Sequence, residues 1–156
     1  MNLKQLYQDI ILEHGKSPRN LGKCEGYSHE AKGYNPLCGD KVHVYLKLDN
    51  VKKVEGLTFE GDGCAISLAS ASIMTELVKG KSIEETKEIM DAFLDMVKNT
   101  SEIQSNHLDE EQKTKLMSLS GVKQFPMRVK CATLSWHTLN SAMDGKKDEV
   151  NTEVID

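Results

Sequence analysis

Asn35-Pro36-Leu37-Cys38-Gly39-Asp40-Lys41-Val42-His43-Val44-Tyr45-Leu46-Lys47-Leu48 reads as a tight turn that feeds a strand. Val42, Val44, Leu46 and Leu48 alternate with His43, Tyr45 and Lys47, the period of two of a half-buried strand. If the strand begins near Cys38, then Cys38 and Asp40 share the face of Val42 and Val44, at the margin of the core, and His43 points away. Asp49-Asn50 supplies a turn, and Val54, Leu57 and Phe59 belong to a returning strand. Gly56 and the switch of the apolar positions from even to odd predict a bulge in it.

Beyond that hairpin, Gly61-Asp62-Gly63 closes the strand, and Ile66, Ala69, Ile73 and Leu77 recur at helical spacing up to a cap at Gly80. Ser82 and Glu85 form a capping box for a second helix, with Ile83, Met90, Phe93, Leu94 and Val97 as its buried stripe. Residues 99–112 are polar and acidic and read as a solvated connection, followed by a turn of helix over 114–119 that ends at Gly121. Pro126 opens a last helix, with the stripe Val129, Ala132, Trp136, Leu139 and Met143 and a cap at Gly145. Toward the N-terminus, Leu3, Leu6, Tyr7, Ile10 and Ile11 define an amphipathic helix closed by Gly15 and Pro18. Residues 24–34 suit an edge strand or loop. The expected organisation is one domain over 1–145, with 146–156 as a disordered C-terminal tail because no apolar period runs through it.

A chain of 156 residues is long enough to bury one core. A net charge of −4 without a basic run argues against nucleic acid as a partner. No apolar run approaches the ~20 residues of a membrane helix, and no basic segment leads into an apolar one at the start, so a cytoplasmic location is expected.

Four cysteines in such a chain are more naturally thiols or metal ligands than disulfides. Cys64 follows two glycines at the start of one helix, Cys131 lies near the start of another, and Cys38 sits in the turn beside Asp40. Helix starts favour thiolates. Cys38, Asp40, Cys64 and Cys131 are therefore read as converging on one metal ion, and three soft thiolates with one carboxylate favour zinc. Asp62, beside Cys64, is the rival for Asp40 as the oxygen ligand. His137 and His43 point away from the proposed ligands, and Cys24 has no ligand type nearby and reads as an incidental thiol. Gly61-Asp62-Gly63 opens like a dinucleotide fingerprint, but Ile66 stands where its third glycine belongs.

Taken in order, Asn-Pro-Leu-Cys-Gly-Asp, Gly-Asp-Gly-Cys-Ala-Ile-Ser and Pro-Met-Arg-Val-Lys-Cys-Ala-Thr-Leu resemble the iron–sulfur assembly proteins of the IscU-like family, most of all its SufU branch. The resemblance runs from the N-terminal helix to about Met143. It implies an α+β fold, with a small three-stranded antiparallel sheet packed against about five helices. It also implies zinc on Cys38, Asp40, Cys64 and Cys131, and a sulfurtransferase role in which Cys38 accepts persulfide sulfur. The implied partners are a cysteine desulfurase of the Suf system and a downstream Suf assembly complex, with Arg128 as a partner-docking residue. The alternative is a scaffold that carries an iron–sulfur cluster on the same ligands. Two departures weigh against that alternative. Lys130 precedes the third cysteine where the scaffold branch has histidine, and Gln124-Phe125-Pro126-Met127-Arg128 replaces that branch's Leu-Pro-Pro-Val-Lys.

Overall fold

The computed structural model describes residues 2–100 and 102–154. The alternating stretch forms strand β2 (Asp40–Leu48), flanked by β1 (His29–Asn35) and β3 (Val54–Asp62), both antiparallel to it. The register slips between Lys47 and Leu48, opposite Gly56, where the change of parity predicts the bulge. Asp40, Val42, Val44 and Leu46 face the core. On the other face, Tyr45 is only 5% exposed because Tyr27 packs its edge against the ring.

Five helices accompany the sheet among the described residues: α1 (Leu3–Lys16), α2 (Ala65–Val78), α3 (Ile83–Asp95), α4 (Glu110–Met117) and α5 (Pro126–Met143). Helix α2 is buried on nearly every side, and its Ala69, Ser70, Ala71 and Ser72 let α1, α5 and the sheet approach closely. The Ser70 hydroxyl donates to the Ala132 carbonyl at 2.5 Å and accepts from Trp136 Nε1 at 3.2 Å, which joins α2 to α5. Gly33 is required for the packing of α5 on β1, because a Cβ there would lie 2.1 Å from Thr138 Oγ1.

Ser82 and Glu85 form the capping box expected for α3. The polar connection is more regular than its composition suggests. Helix α3 continues as a π-helical turn over Met96–Thr100, Ile103 and Leu108 are buried, and α4 begins at Glu110 behind a second capping box between Asp109 and Gln112. A helix start four residues before the expected one follows from that box.

The sheet has four strands rather than three. Its order is β3-β2-β1-β4, where β4 (Val150–Asn151) runs parallel to β1 through Gly33↔Val150 and Tyr34↔Asn151. The expectation of a disordered tail from 146 is thus corrected over 150–154, and β1 is not an edge strand where β4 covers it. Backbone pairing, not an apolar stripe, holds this segment, so hydrophobic periodicity gives no sign of it. The last two residues of the expected tail lie outside the described residues. No helix among the described residues is long and apolar enough to cross a membrane.

Candidate metal centre

Three chain junctions meet at one end of the sheet. The first is the β1–β2 hairpin, closed by the pair Asn35↔Asp40, with Pro36-Leu37-Cys38-Gly39 as its turn. Gly39 takes φ of +71°, a conformation that favours glycine, and the turn leaves Cys38 exposed while Asp40 is fully buried. The second junction is β3 to α2, where Cys64 is the N-cap and its sulfur accepts from the Ser67 N–H at 3.5 Å. The third is the beginning of α5. Cys131 lies there in the second turn, 2% exposed, so it lacks the free backbone N–H groups of the first turn that sequence reading granted it.

The Cys38 sulfur, an Asp40 oxygen and the Cys131 sulfur all lie within 4.8 Å of one another. Cys131 Sγ donates to Cys38 Sγ at 3.2 Å. A tetrahedral centre with metal–sulfur bonds of ~2.3 Å spaces its sulfurs by roughly 3.8 Å, so small adjustments would seat a zinc-sized cation among them. Cys64 stands beside this group rather than in it. Its thiol is hydrogen-bonded to Cys131, and its backbone N–H donates to Asp40 Oδ1 at 2.9 Å. That last bond is possible because residue 63 is glycine, since a Cβ there would lie 2.3 Å from the same oxygen.

The protonation pattern follows from this crowding. The hydrogen bond from Cys131, helped by the Ser67 and Ile66 N–H groups, pulls the Cys64 thiol down to about 7 against the opposing effects of burial and Asp40. Cys131 moves the other way. Its bond to Cys64, then burial, then Cys38 and Asp40 all hold its proton in place. The Cys131 thiol proton is thus held toward the Cys38 sulfur, and a cation placed there would take its place.

Asn35, 0% exposed, donates from Nδ2 to Asp40 Oδ2 at 3.1 Å and to Cys131 Sγ at 3.5 Å, so it serves both. Its role is not apparent from the motif, because asparagine before proline reads simply as turn chemistry. Arg128 is exposed, and its guanidinium stacks 5.0 Å from the centre of the Phe125 ring. It precedes Cys131 by one helical turn and so shares its side of α5. Leu37, Phe125 and Met127 are exposed apolar side chains on the two segments that carry Cys38 and Arg128.

The rivals fall elsewhere. Asp62 is exposed and outside the cluster. His43 pairs with Glu30 on the opposite face of the sheet. His137 lines a groove with Val97, Lys123 and Thr152, where burial and then Lys98 lower its pKa. The Cys24 thiol donates weakly to the Glu25 carbonyl at 3.8 Å. Lys130 is ion-paired with Glu153.

The chain as a whole has known relatives. Residues 6–132 match the NifU-like N-terminal domain. The chain belongs to that family. It is 42% identical over 142 residues to the zinc-dependent sulfurtransferase SufU of Bacillus subtilis, covering 91% of this chain and 92% of that protein. It is 38% identical over 141 residues to the iron–sulfur cluster assembly scaffold protein IscU of Streptococcus pyogenes, covering 90% and 84%. The crystal structure of FiSufU, a SUF-system protein of Fervidobacterium islandicum, superposes with a TM-score of 0.76 at 34% identity, covering 89% of this chain and 97% of that one. The α+β architecture of this NifU-like chain is therefore the family's, with β4 completing the sheet.

Proposed function

We propose that this NifU-like domain is a zinc-dependent sulfurtransferase of iron–sulfur cluster assembly, with Cys38 as the sulfur acceptor. Cys38, Asp40 and Cys131 would hold the ion, with Cys64, which stands beside them, as the fourth ligand. The observation that carries this reading is the asymmetry of the cluster, in which one exposed sulfur adjoins a buried oxygen and a buried sulfur. A purely structural centre has no need of an accessible thiol, whereas a sulfur acceptor does. The name of the Bacillus relative points the same way.

Bound zinc would keep its thiolate ligands deprotonated at neutral pH and make the site depend on release of one of them. Transfer is then thiol–persulfide exchange. The Cys38 thiolate attacks the outer sulfur of a cysteine persulfide on the partner, a new S–S bond forms at Cys38, the partner's S–S bond breaks, and the partner's thiolate departs. Sulfur moves without net oxidation or reduction. The partner implied is a cysteine desulfurase of the Suf system acting in the cytosol, and the sulfur would pass to the Suf assembly complex. Arg128 would dock a carboxylate of that partner through its planar guanidinium, beside the apolar Leu37, Phe125 and Met127.

The test is elemental analysis of freshly purified protein, paired with a desulfurase assay with and without it. One equivalent of zinc, faster desulfurase turnover, and labelled sulfur on wild-type protein but not on Cys38→Ser are expected. Labelled sulfur on Cys38→Ser would overturn the assignment. The Streptococcus relative's name favours a second reading, a cluster scaffold on the same donors. Under it the reconstituted protein is brown and passes its cluster to an apo-acceptor.

A further inference from the structure

The segment after α5 reaches both halves of the metal centre. After β4 pairs with β1, the Thr152 N–H donates to the Tyr34 carbonyl at 3.1 Å, and the Thr152 hydroxyl donates to Asn35 Oδ1 at 3.0 Å. Both partners in that last bond are buried, Thr152 at 3% exposure and Asn35 at 0%. One residue further on, Glu153 pairs with Lys130, the neighbour of Cys131. A single short strap is thus fastened to the hairpin that carries Cys38 and Asp40 and to the helix that carries Cys131.

The Asn35 amide is used at both ends. Its Nδ2 group serves Asp40 and Cys131, and its Oδ1 takes the Thr152 hydroxyl. The side-chain torsion that orients an amide is broad and roughly two-fold, so the partners decide which end points where. Without the hydroxyl, Oδ1 would be a buried acceptor lacking a donor, and the amide would swing to find one. That swing takes its N–H groups off Asp40 and Cys131. A reversed amide would set its carbonyl against the Asp40 carboxylate.

We propose that Thr152, acting through Asn35, is a positioning residue of the metal centre, and that the C-terminal strand holds Asp40 and Cys131 at the spacing the ion needs. The proposal rests on the ligand reading given above and names Thr152, a residue that lies in none of the three motifs. Outer partners of this kind commonly change metal affinity by about 10- to 100-fold. Thr152 stands one bond further from the ligands than Asn35, so the lower figure applies to it.

Cobalt(II) in place of zinc reports the site optically, through its thiolate charge-transfer absorption, and needs no desulfurase. The wild-type chain and its Thr152→Val, Thr152→Ala and Thr152→Ser variants are titrated with cobalt against a competing chelator. The Val and Ala variants are expected to bind about tenfold more weakly, with an altered absorption spectrum. Serine, which restores the hydroxyl, is expected to recover affinity and spectrum. The Ala variant, smaller than threonine, keeps the test open if the valine variant fails to fold. Wild-type affinity and spectrum in Thr152→Val or Thr152→Ala would overturn the positioning role while leaving the ligand reading intact. A wild-type chain that takes up no cobalt would sink the ligand reading, and the positioning role with it.

Discussion

The Asp40 carboxylate accepts the Cys64 backbone N–H at 2.9 Å on one oxygen and the Asn35 amide at 3.1 Å on the other. It therefore ties the hairpin to the start of α2 before any cation is bound. Substituting Asp40→Ala removes a proposed ligand and leaves two donors without their acceptor. Each such donor costs about 1–3 kcal/mol. Chemical denaturation of the chelated protein is expected to show a loss of at least ~2 kcal/mol, together with weaker metal binding, while Cys38 still accepts labelled sulfur. Equal denaturation midpoints for wild type and variant would remove the structural role from Asp40.

Gly63→Ala attacks the same contact from the other side. Its Cβ would lie 2.3 Å from Asp40 Oδ1, whereas a Cβ at Gly121 meets nothing within 4 Å. The Gly63 variant is expected to lose about tenfold or more in metal affinity, a typical effect of displacing an outer partner, with Gly121→Ala as the silent control. Chelator competition measures both.

Metal removal should register as a fall in melting temperature. A ligand held at about 1,000 times its Kd stabilises by about 4 kcal/mol, and in chains of this size each kcal/mol moves Tm by about 2–4 °C. Calorimetry with and without chelator is expected to differ by roughly 8–16 °C. Superimposed melting curves would contradict a ligand role for the cluster.

The acid side of the stability profile should carry the signature of His14. This histidine of α1 is 2% exposed, with Nδ1 on Ser72 Oγ at 2.8 Å, and burial leads the causes that lower its pKa from 6.5. A lowered pKa means that the folded state favours the neutral ring. The stabilisation is present above the unfolded value of 6.5 and drains away as pH falls below it toward the folded value. Urea titrations of chelated protein at successive pH values are expected to give a stability difference between wild type and His14→Gln that shrinks as pH drops below 6.5. A pH-independent difference would show that the ring is not held neutral.

The β2–β3 hairpin with its bulge, the capping box at Ser82 and the stripe on α5 are written in local patterns, and each was legible without coordinates. So was the meeting of Cys38, Asp40 and Cys131, because motif context marked all three. The standing of Cys64 beside the cluster was not legible, since its distance from the others depends on how deeply α2 packs. Nor was the strap. Val150 and Asn151 are held by backbone pairing, and Thr152 by a single hydroxyl, interactions that leave no trace in hydropathy. The capping box at Asp109 was readable in principle, but its acidic surroundings masked it as solvated loop.

The chain has a single tryptophan, Trp136, fully buried, stacked 4.9 Å from Phe93 and hydrogen-bonded to Ser70 in the seam between α2 and α5. Cys64 caps one of those helices and Cys131 rides on the other. An event that draws the two sulfurs together or lets them part is expected to be felt at that seam by the one indole. Intrinsic fluorescence would then gauge the centre's state, with no dye or label required to read it.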